Sequence, residues 1–261
     1  MIDRPVSVER HDAVVTITLN RPERRNALTT DMKGDLLEAV TSAGNDAGVR
    51  AVVLAAAGPA FCVGQDLGEH ARSLEDEPES AFNTVRDHYS PIIRTLMTMP
   101  KPVVAAVEGT CVGAGLGLAL ACDIRVFGAG VQVATAFASI GLTFDSGLSW
   151  TLPREVGEAR ARDLMLRGRR FDIEQGVAWG ICADVVDPAN VLTTARAIAA
   201  ELAQGPTVAY GESKRLLALT GTLDEVLAAE ADGQTRCGAT RDHQAAVAAF
   251  LAREKTYFVG A

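Results

Sequence analysis

Lysine is scarce in this chain: only Lys33, Lys101, Lys214 and Lys255 occur among 261 residues. Lys and Arg together number 25 against 33 Asp and Glu, for a formal charge of −8. Nucleic-acid binding rests on clustered cations that neutralise phosphates, so no nucleic-acid partner is expected. Long apolar runs are missing too. The longest uncharged stretch, between Arg125 and Asp145, has 19 residues with Gln132, Thr135, Ser139 and Thr143 among them, and the one between Glu108 and Asp123 has 14, of which seven are Gly or Ala. A membrane-spanning helix needs about 20 mostly apolar residues, so no membrane partner is expected. The five cysteines (62, 111, 122, 182, 237) form no C-x-x-C pair, and the four histidines (11, 70, 88, 243) are scattered. No zinc spacing results, so no metal is expected. Three of the thiols sit in apolar or Gly/Ala-rich contexts and read as buried and free, as in a reducing cytosol. Met1-Ile2-Asp3-Arg4-Pro5 offers no apolar leader core, and a cytoplasmic location is the expectation.

What is present is an ordinary globular composition, 48% apolar and 22% charged. The length suits one large domain or two small ones. Val14 to Leu19 alternates as a strand, and Thr30 is placed to cap a helix carrying Met32, Leu36, Val40 and Ala43 at helical spacing. Arg50–Ala56 and Val103–Val107 are continuous small-apolar runs, the mark of strands buried on both faces. Glu69 to Ser80, acidic and containing Pro78, reads as a solvated loop. Phe82 to Leu96 has helical spacing with a break expected at Pro91. Strands are expected at Ile124–Phe127, Val131–Thr135 and Val185–Val186. Asp172-x-x-Gln175 and Gly180 read as the cap and stop of a helix. The alternation of strands and helices predicts an α/β core with crossover helices over residues 1–205, followed by an all-helical piece over 206–261.

Three segments could carry chemistry. Gly113-x-Gly115-x-Gly117 is no dinucleotide fingerprint, because Leu118 stands where a third glycine is needed, and no lysine follows in a phosphate-loop arrangement. It remains a glycine turn opening a helix, whose free N–H groups can hold a developing anion. Close helix–strand packing would explain it equally. Phe61 to Leu67 follows a buried strand, where open α/β sheets place ligand loops. Asp145, before Ser146-Gly147, reads on its own as a helix cap. Phe137 and Phe144 nearby would make its surroundings apolar and raise its pKa.

Four ordered blocks resemble the enoyl-CoA hydratase/isomerase (crotonase) superfamily: Asn20-Arg-Pro-Glu-Arg-Arg-Asn-Ala-Leu-Thr29, Ala60-Phe-Cys-Val-Gly-Gln-Asp-Leu67, Lys101-Pro-Val-Val-Ala-Ala-Val-Glu-Gly109 with Gly113-Ala-Gly-Leu-Gly117, and Ala121-Cys-Asp-Ile124. The resemblance covers essentially the whole chain. It implies a spiral of ββα units with a C-terminal helical trimerisation region, assembled as a homotrimer or dimer of trimers. It also implies an acyl-CoA thioester substrate, with no cofactor beyond the CoA moiety. The thioester oxygen would be held by the backbone N–H groups of Gln65 and Ala114. Arg24, Arg25, Ala27, Gly64, Asp66, Leu67 and Phe137 would line the substrate and CoA site, joined by Lys255 and Phe258 from a neighbouring subunit. Arg21, in the same motif, fits a solvated surface arginine best.

The family's hydratases carry two glutamates, and the matching positions here are Gly117 and Phe137. Neither moves a proton. The segment Gly141 to Ser149 with Leu152-Pro-Arg154 instead resembles a single-aspartate subgroup, the epoxyphenylacetyl-CoA and enoyl-CoA isomerases. Asp145 would then shuttle a proton between two carbons, its basicity raised by Phe137, Phe144 and Trp150. Chlorobenzoyl-CoA dehalogenases also place an aspartate here, as a nucleophile, but match Phe137 with a tryptophan. Hydration by Asp145 alone, or acyl-CoA binding without catalysis, are the alternatives.

Overall fold

The computed structural model describes residues 4–182 and 184–261; Met1 to Asp3, where the leader reading begins, lie outside them. The chain opens with an antiparallel hairpin, β1 (Val6–His11) and β2 (Val14–Leu19), then α1 (Thr30–Asn45). A repeating unit follows. A longer strand, β3 (Ala51–Ala56), is succeeded at once by a short one, β4 (Ala60–Cys62), then by α2 (Leu67–Asp76) and α3 (Ser90–Thr98). β5 (Val103–Val107), β6 (Thr110–Val112) and α4 (Ala114–Leu120) repeat the unit. So do β7 (Ile124–Gly128) and β8 (Gln132–Ala134) with α5 (Leu148–Val156) and α6 (Glu158–Arg167). β9 (Arg170–Asp172), α7 (Ile173–Trp179), β10 (Asp184–Val186) and α8 (Val191–Ala203) complete the core.

The longer strand of each unit joins a six-stranded sheet ordered β1-β2-β3-β5-β7-β10, and the short one joins a four-stranded sheet ordered β4-β6-β8-β9. From β2 onward the strand pairings are parallel, as helical crossovers require, except that β9 runs antiparallel to β8. β3 and β5 explain themselves by period-two alternation. Val52, Leu54, Val103 and Ala105 face the main core with α1 and α3, while Val53, Ala55, Val104 and Ala106 face Val191, Ala195 and Ala199 of α8. The alanine row of α8 recurs every fourth residue, so this helix presents small side chains to the sheet.

Three helices follow: α9 (Thr207–Leu217), α10 (Leu223–Gly238) and α11 (Arg241–Ala252). Lys214 of α9 docks them, donating to the Leu96 carbonyl and to Asp123 Oδ2, each at 2.7 Å. Glu212 ties α9 to α10 through two hydrogen bonds from Arg236, at 2.7 and 2.8 Å. That pairing, helped by Arg215, pulls its carboxyl down to about 2. Asp242 holds the tail by accepting from the Val259 and Gly260 amides. Among the described residues no helix is long and apolar enough to cross a membrane.

Local differences from the sequence reading have identifiable causes. The α1 cap is Thr29, not Thr30: the Thr29 hydroxyl accepts from the Met32 N–H. Glu69 to Ser80 is not simply a loop, because α2 runs through Asp76. Asp66 caps it, accepting from the Gly68 and Glu69 amides at 3.1 Å each, and the Glu69 carboxylate accepts from the Thr30 amide. A local cap and one tertiary pin thus outweigh a polar composition. β1 is an edge strand whose side chains are largely exposed, and β9 is an edge strand of three residues with Phe171 buried; both leave little hydrophobic pattern to read.

Candidate active site

Two backbone turns converge where the spiral's first two units meet. The loop after β4 brings Gly64 against the start of α4, where a Cβ on Gly64 would lie 3.4 Å from the Ala114 nitrogen. Gly64 has φ of 88° and Gly113 of 58°, values that L side chains rarely adopt.

The direction of each N–H follows from its peptide plane. The Gly64 carbonyl accepts from the Leu28 amide at 2.8 Å. The peptide is planar and trans, so the Gln65 N–H points the opposite way, out from Leu28. The Gly113 carbonyl accepts from the Gly117 amide at 3.2 Å, which turns the Ala114 N–H out of the open end of α4. Neither N–H has an acceptor among the described residues. A pair of free, preorganised donors at a helix start can hold a developing oxyanion.

Both turns border a cavity of about 480 Å³. Of the residues singled out from the sequence, Arg24, Ala27, Gly64, Gln65, Asp66, Leu67, Ala114, Phe137 and Asp145 line it. Arg25 does not: it sits exposed in a left-handed conformation ending a short 3-10 turn. Lys255 and Phe258 do not reach it within this chain; Lys255 lies over the Tyr257 ring, and the Phe258 carbonyl accepts from Arg50. Trp150 is also elsewhere, stacked under Arg154 with the guanidinium carbon 3.4 Å from the ring centre. Arg21 is not a solvated arginine. It pairs with Asp66 at 3.2 Å and donates to the Ala27 carbonyl.

Two carboxylates border the cavity, in different states. Burial opposes ionisation of Asp66, but the Glu69 and Gly68 amides and the Arg21 guanidinium outweigh it and hold its carboxyl below the usual range. Asp145 is raised above it, because burial dominates over the Ser146 hydroxyl, which donates at 2.7 Å, and over the more distant Lys33 charge. Asp145 is no helix cap. α5 starts at Leu148 with Gly147 as its N-cap and no side-chain cap bond. Phe137 and Phe144 meet edge to face at 5.7 Å beside the cavity, a packing that keeps Phe137 at 8% exposure. Asp66 is thus held by Arg21 and by the start of α2, whereas Asp145 accepts a side-chain hydrogen bond from its neighbour Ser146.

Position 117 is closed. A Cβ on Gly117 would lie 2.5 Å from both the Cβ and the carbonyl oxygen of Ser146. No side chain fits there while the Asp145–Ser146 turn keeps its place.

The sequence reading missed the polar support behind Gln65. Its Oε1 accepts from Lys33 Nζ at 3.1 Å and from the Tyr89 hydroxyl at 2.5 Å. A signal existed, since Lys33 is on the same stripe of α1 as Leu36 and Val40, where a charge is out of place. Other motif residues prove to be staples. Asn26 donates to the Ala57 and Ala60 carbonyls, and Lys101 closes the end of α1 by donating to the Ala43 and Asp46 carbonyls. Among the described residues, no three His, Cys, Asp or Glu side chains gather as a metal-ligand set.

A family model described as enoyl-CoA hydratase/isomerase matches residues 9–261. The 1,2-epoxyphenylacetyl-CoA isomerase of Escherichia coli (strain K12) is 38% identical over 249 residues, 95% of each chain. A 4-chlorobenzoyl coenzyme A dehalogenase of Arthrobacter is 35% identical over 209 residues, 80% of this chain and 76% of that one. A crystal structure from Mycobacterium abscessus, described as a candidate enoyl-CoA hydratase/isomerase, superposes with a TM-score of 0.94 at 48% identity, covering 98% of this chain and all of that one. Sequence, fold and the paired amide turns agree: the chain belongs to the enoyl-CoA hydratase/isomerase, or crotonase, family.

Proposed function

We propose that this enzyme isomerises an acyl-CoA thioester, moving a double bond or opening a ring epoxide by proton transfer through Asp145. The thioester carbonyl oxygen accepts from the Gln65 and Ala114 amides. With a 3-enoyl thioester, the Asp145 carboxylate takes a proton from the α carbon, and the electron pair spreads through the diene to the thioester oxygen. The same carboxyl then returns the proton to the γ carbon. The thioester carbonyl re-forms, the double bond lies between α and β, and no atom is gained or lost. Two amide donors suit this step because the charge they face exists only while the enolate does.

One observation carries the reading. Asp145 is the carboxylate at the cavity left free of a structural role, and position 117, where the family's hydratases carry a glutamate, has no room for one. Arg24 at the cavity supplies a cation for the CoA phosphates. Lys255 and Phe258 would serve the site of an adjoining copy in a homotrimer or dimer of trimers. Apolar side chains exposed on the last helices, Leu217 at 88% and Phe250 at 82%, support such assembly. Free thiols support a cytoplasmic setting.

The test is NMR of isotope-labelled 3-enoyl-CoA, 2-enoyl-CoA and epoxide thioesters incubated with the enzyme. Migration of the double bond without incorporation of solvent oxygen supports isomerisation. Hydration of the 2-enoyl thioester at an equal or higher rate would replace it with a hydratase, and binding without turnover with an acyl-CoA-binding protein.

A further inference from the structure

Lys33 is fully buried on α1, yet no carboxylate among the described residues lies within ion-pair distance of it. Its ammonium donates to Gln65 Oε1 at 3.1 Å and to Thr84 Oγ1 at 2.5 Å, and it sits 5.1 Å from the centre of the Tyr89 ring. Tyr89, 1% exposed, donates to the same Gln65 oxygen from the segment preceding α3. Burying a cation is costly unless it is well bonded, and an apolar residue of similar volume commonly stabilises such a site as well or better. A lysine here gives the core no stability that Met would not. What it does provide is a fixed Gln65 side chain.

We propose that Lys33 and Tyr89 are positioning residues: by holding the Gln65 side-chain oxygen from two sides, they fix the peptide plane between Gly64 and Gln65 and so aim the Gln65 N–H at the thioester oxygen. Three bonds then locate that plane. Leu28 holds the Gly64 carbonyl, while Lys33 and Tyr89 hold the next side chain. The clamp spans α1, the loop after β4 and the segment before α3, so three elements must agree before the donor is in place. Gly64, with no side chain and a positive φ, cannot impose that orientation alone. The inference rests on the reading that the Gln65 amide holds the thioester oxygen.

Several ionisable groups face this cluster: Glu69 of α2, Asp145 before α5, His88 and Tyr89 before α3, and Cys62 of β4. Burial lowers the Lys33 pKa, and Glu69 and Asp145 pull it back up. Loss of the Lys33 charge therefore removes a cation that favours ionised Asp145.

The decisive comparison uses Lys33→Met, Lys33→Gln and Tyr89→Phe in the full-length protein. Lys33→Met should fold with an unfolding temperature at or above that of the parent. Its kcat should fall about 10- to 100-fold, the order expected for a displaced rather than deleted donor, with KM little changed. The pH profile of kcat should shift upward. Lys33→Gln keeps an N–H for the Gln65 oxygen and should recover part of kcat without recovering the pH profile. Carbonyl-stretch spectroscopy of a bound 2-enoyl-CoA, in an Asp145→Asn background that stops turnover, reads the donor directly. The red shift seen with Lys33 present should shrink in Lys33→Met and, to a lesser degree, in Tyr89→Phe. A red shift and a kcat retained in full in folded Lys33→Met overturn the clamp. Absence of any red shift with Lys33 present would instead remove the oxyanion reading of Gln65, and this inference with it. Should Lys33→Met fail to fold, Tyr89→Phe, which deletes a single oxygen, decides by the same two readouts.

Discussion

Gly117 and Ser146 are in contact at a distance that admits nothing between them: a methyl group on Gly117 would stand 2.5 Å from the Ser146 carbonyl oxygen. The missing glutamate at 117 and the aspartate at 145 are therefore one feature. The turn bearing Asp145 occupies the space that a side chain from α4 would take. Ser146 holds a left-handed φ of 50° in that turn and bonds the Asp145 carboxylate through its hydroxyl. Strain of this kind persists where neighbours over-determine it, and it clusters at functional sites.

Gly117→Glu is accordingly expected to damage the site rather than convert it into a hydratase. The clash is with backbone, so the turn must move, and overpacking of this kind costs about 1–3 kcal/mol. Thermal unfolding should fall, isomerisation should be lost, and hydration of a 2-enoyl thioester should not appear. Efficient hydration by a folded Gly117→Glu variant would show that the turn is free to yield.

Asp145→Asn keeps an oxygen for the Ser146 hydroxyl but removes the base. Isomerisation should drop at least about 10²-fold, while affinity for the thioester holds. The parent's rate should rise with pH through an apparent pKa above the ~3.9 of free aspartate, because burial disfavours the anion. The same shift acts on stability with the opposite sense. A carboxyl whose folded pKa is raised binds its proton more tightly when folded, so its contribution to stability declines as pH climbs from the unfolded value through the folded one. At neutral pH the uncharged Asn should thus leave the unfolding temperature equal or higher. A lower one, with activity intact, would return Asp145 to a structural role.

Ala114→Pro deletes the second proposed donor at a helix position that suits proline. Ala114 is the first residue of α4, the helical position at which proline is favoured, and its N–H bonds nothing else among the described residues. Turnover should fall by about 10²–10³, with CoA affinity and thermal unfolding changed far less. Unaltered kcat in the folded variant would take Ala114 out of the mechanism.

The exposed apolar side chains of the last helices make assembly measurable. Leu217, Leu223, Phe250 and Leu251 are each more than 70% exposed in a single chain. Sedimentation at micromolar concentration should give a trimer or a multiple of it, and Leu217→Asp with Phe250→Asp should shift it toward monomer. A monomer in the unsubstituted protein would contradict the assembly and leave Lys255 and Phe258 without a site to serve.

The buried strands β3 and β5, the α1 stripe and the glycine turn were legible in the sequence because each depends on local periodicity or on backbone freedom that only glycine provides. The four motif blocks identified the family for a related reason. Asn26, Lys101 and Asp123 make staples that bind distant backbone groups, and such bonds admit few residue types. Tertiary structure decided the rest. Arg21 became the partner of Asp66 only when a loop 45 residues away was laid beside it. α2 formed from an acidic stretch because Thr30, 39 residues from Glu69, pinned it beyond its local Asp66 cap. Lys33 and Tyr89 met on one Gln65 oxygen from elements far apart in the chain, where no local pattern records the encounter. That Asp145 is raised and Asp66 lowered in pKa followed from burial and from which hydrogen bonds were already in use, and neither quantity exists until the chain is packed.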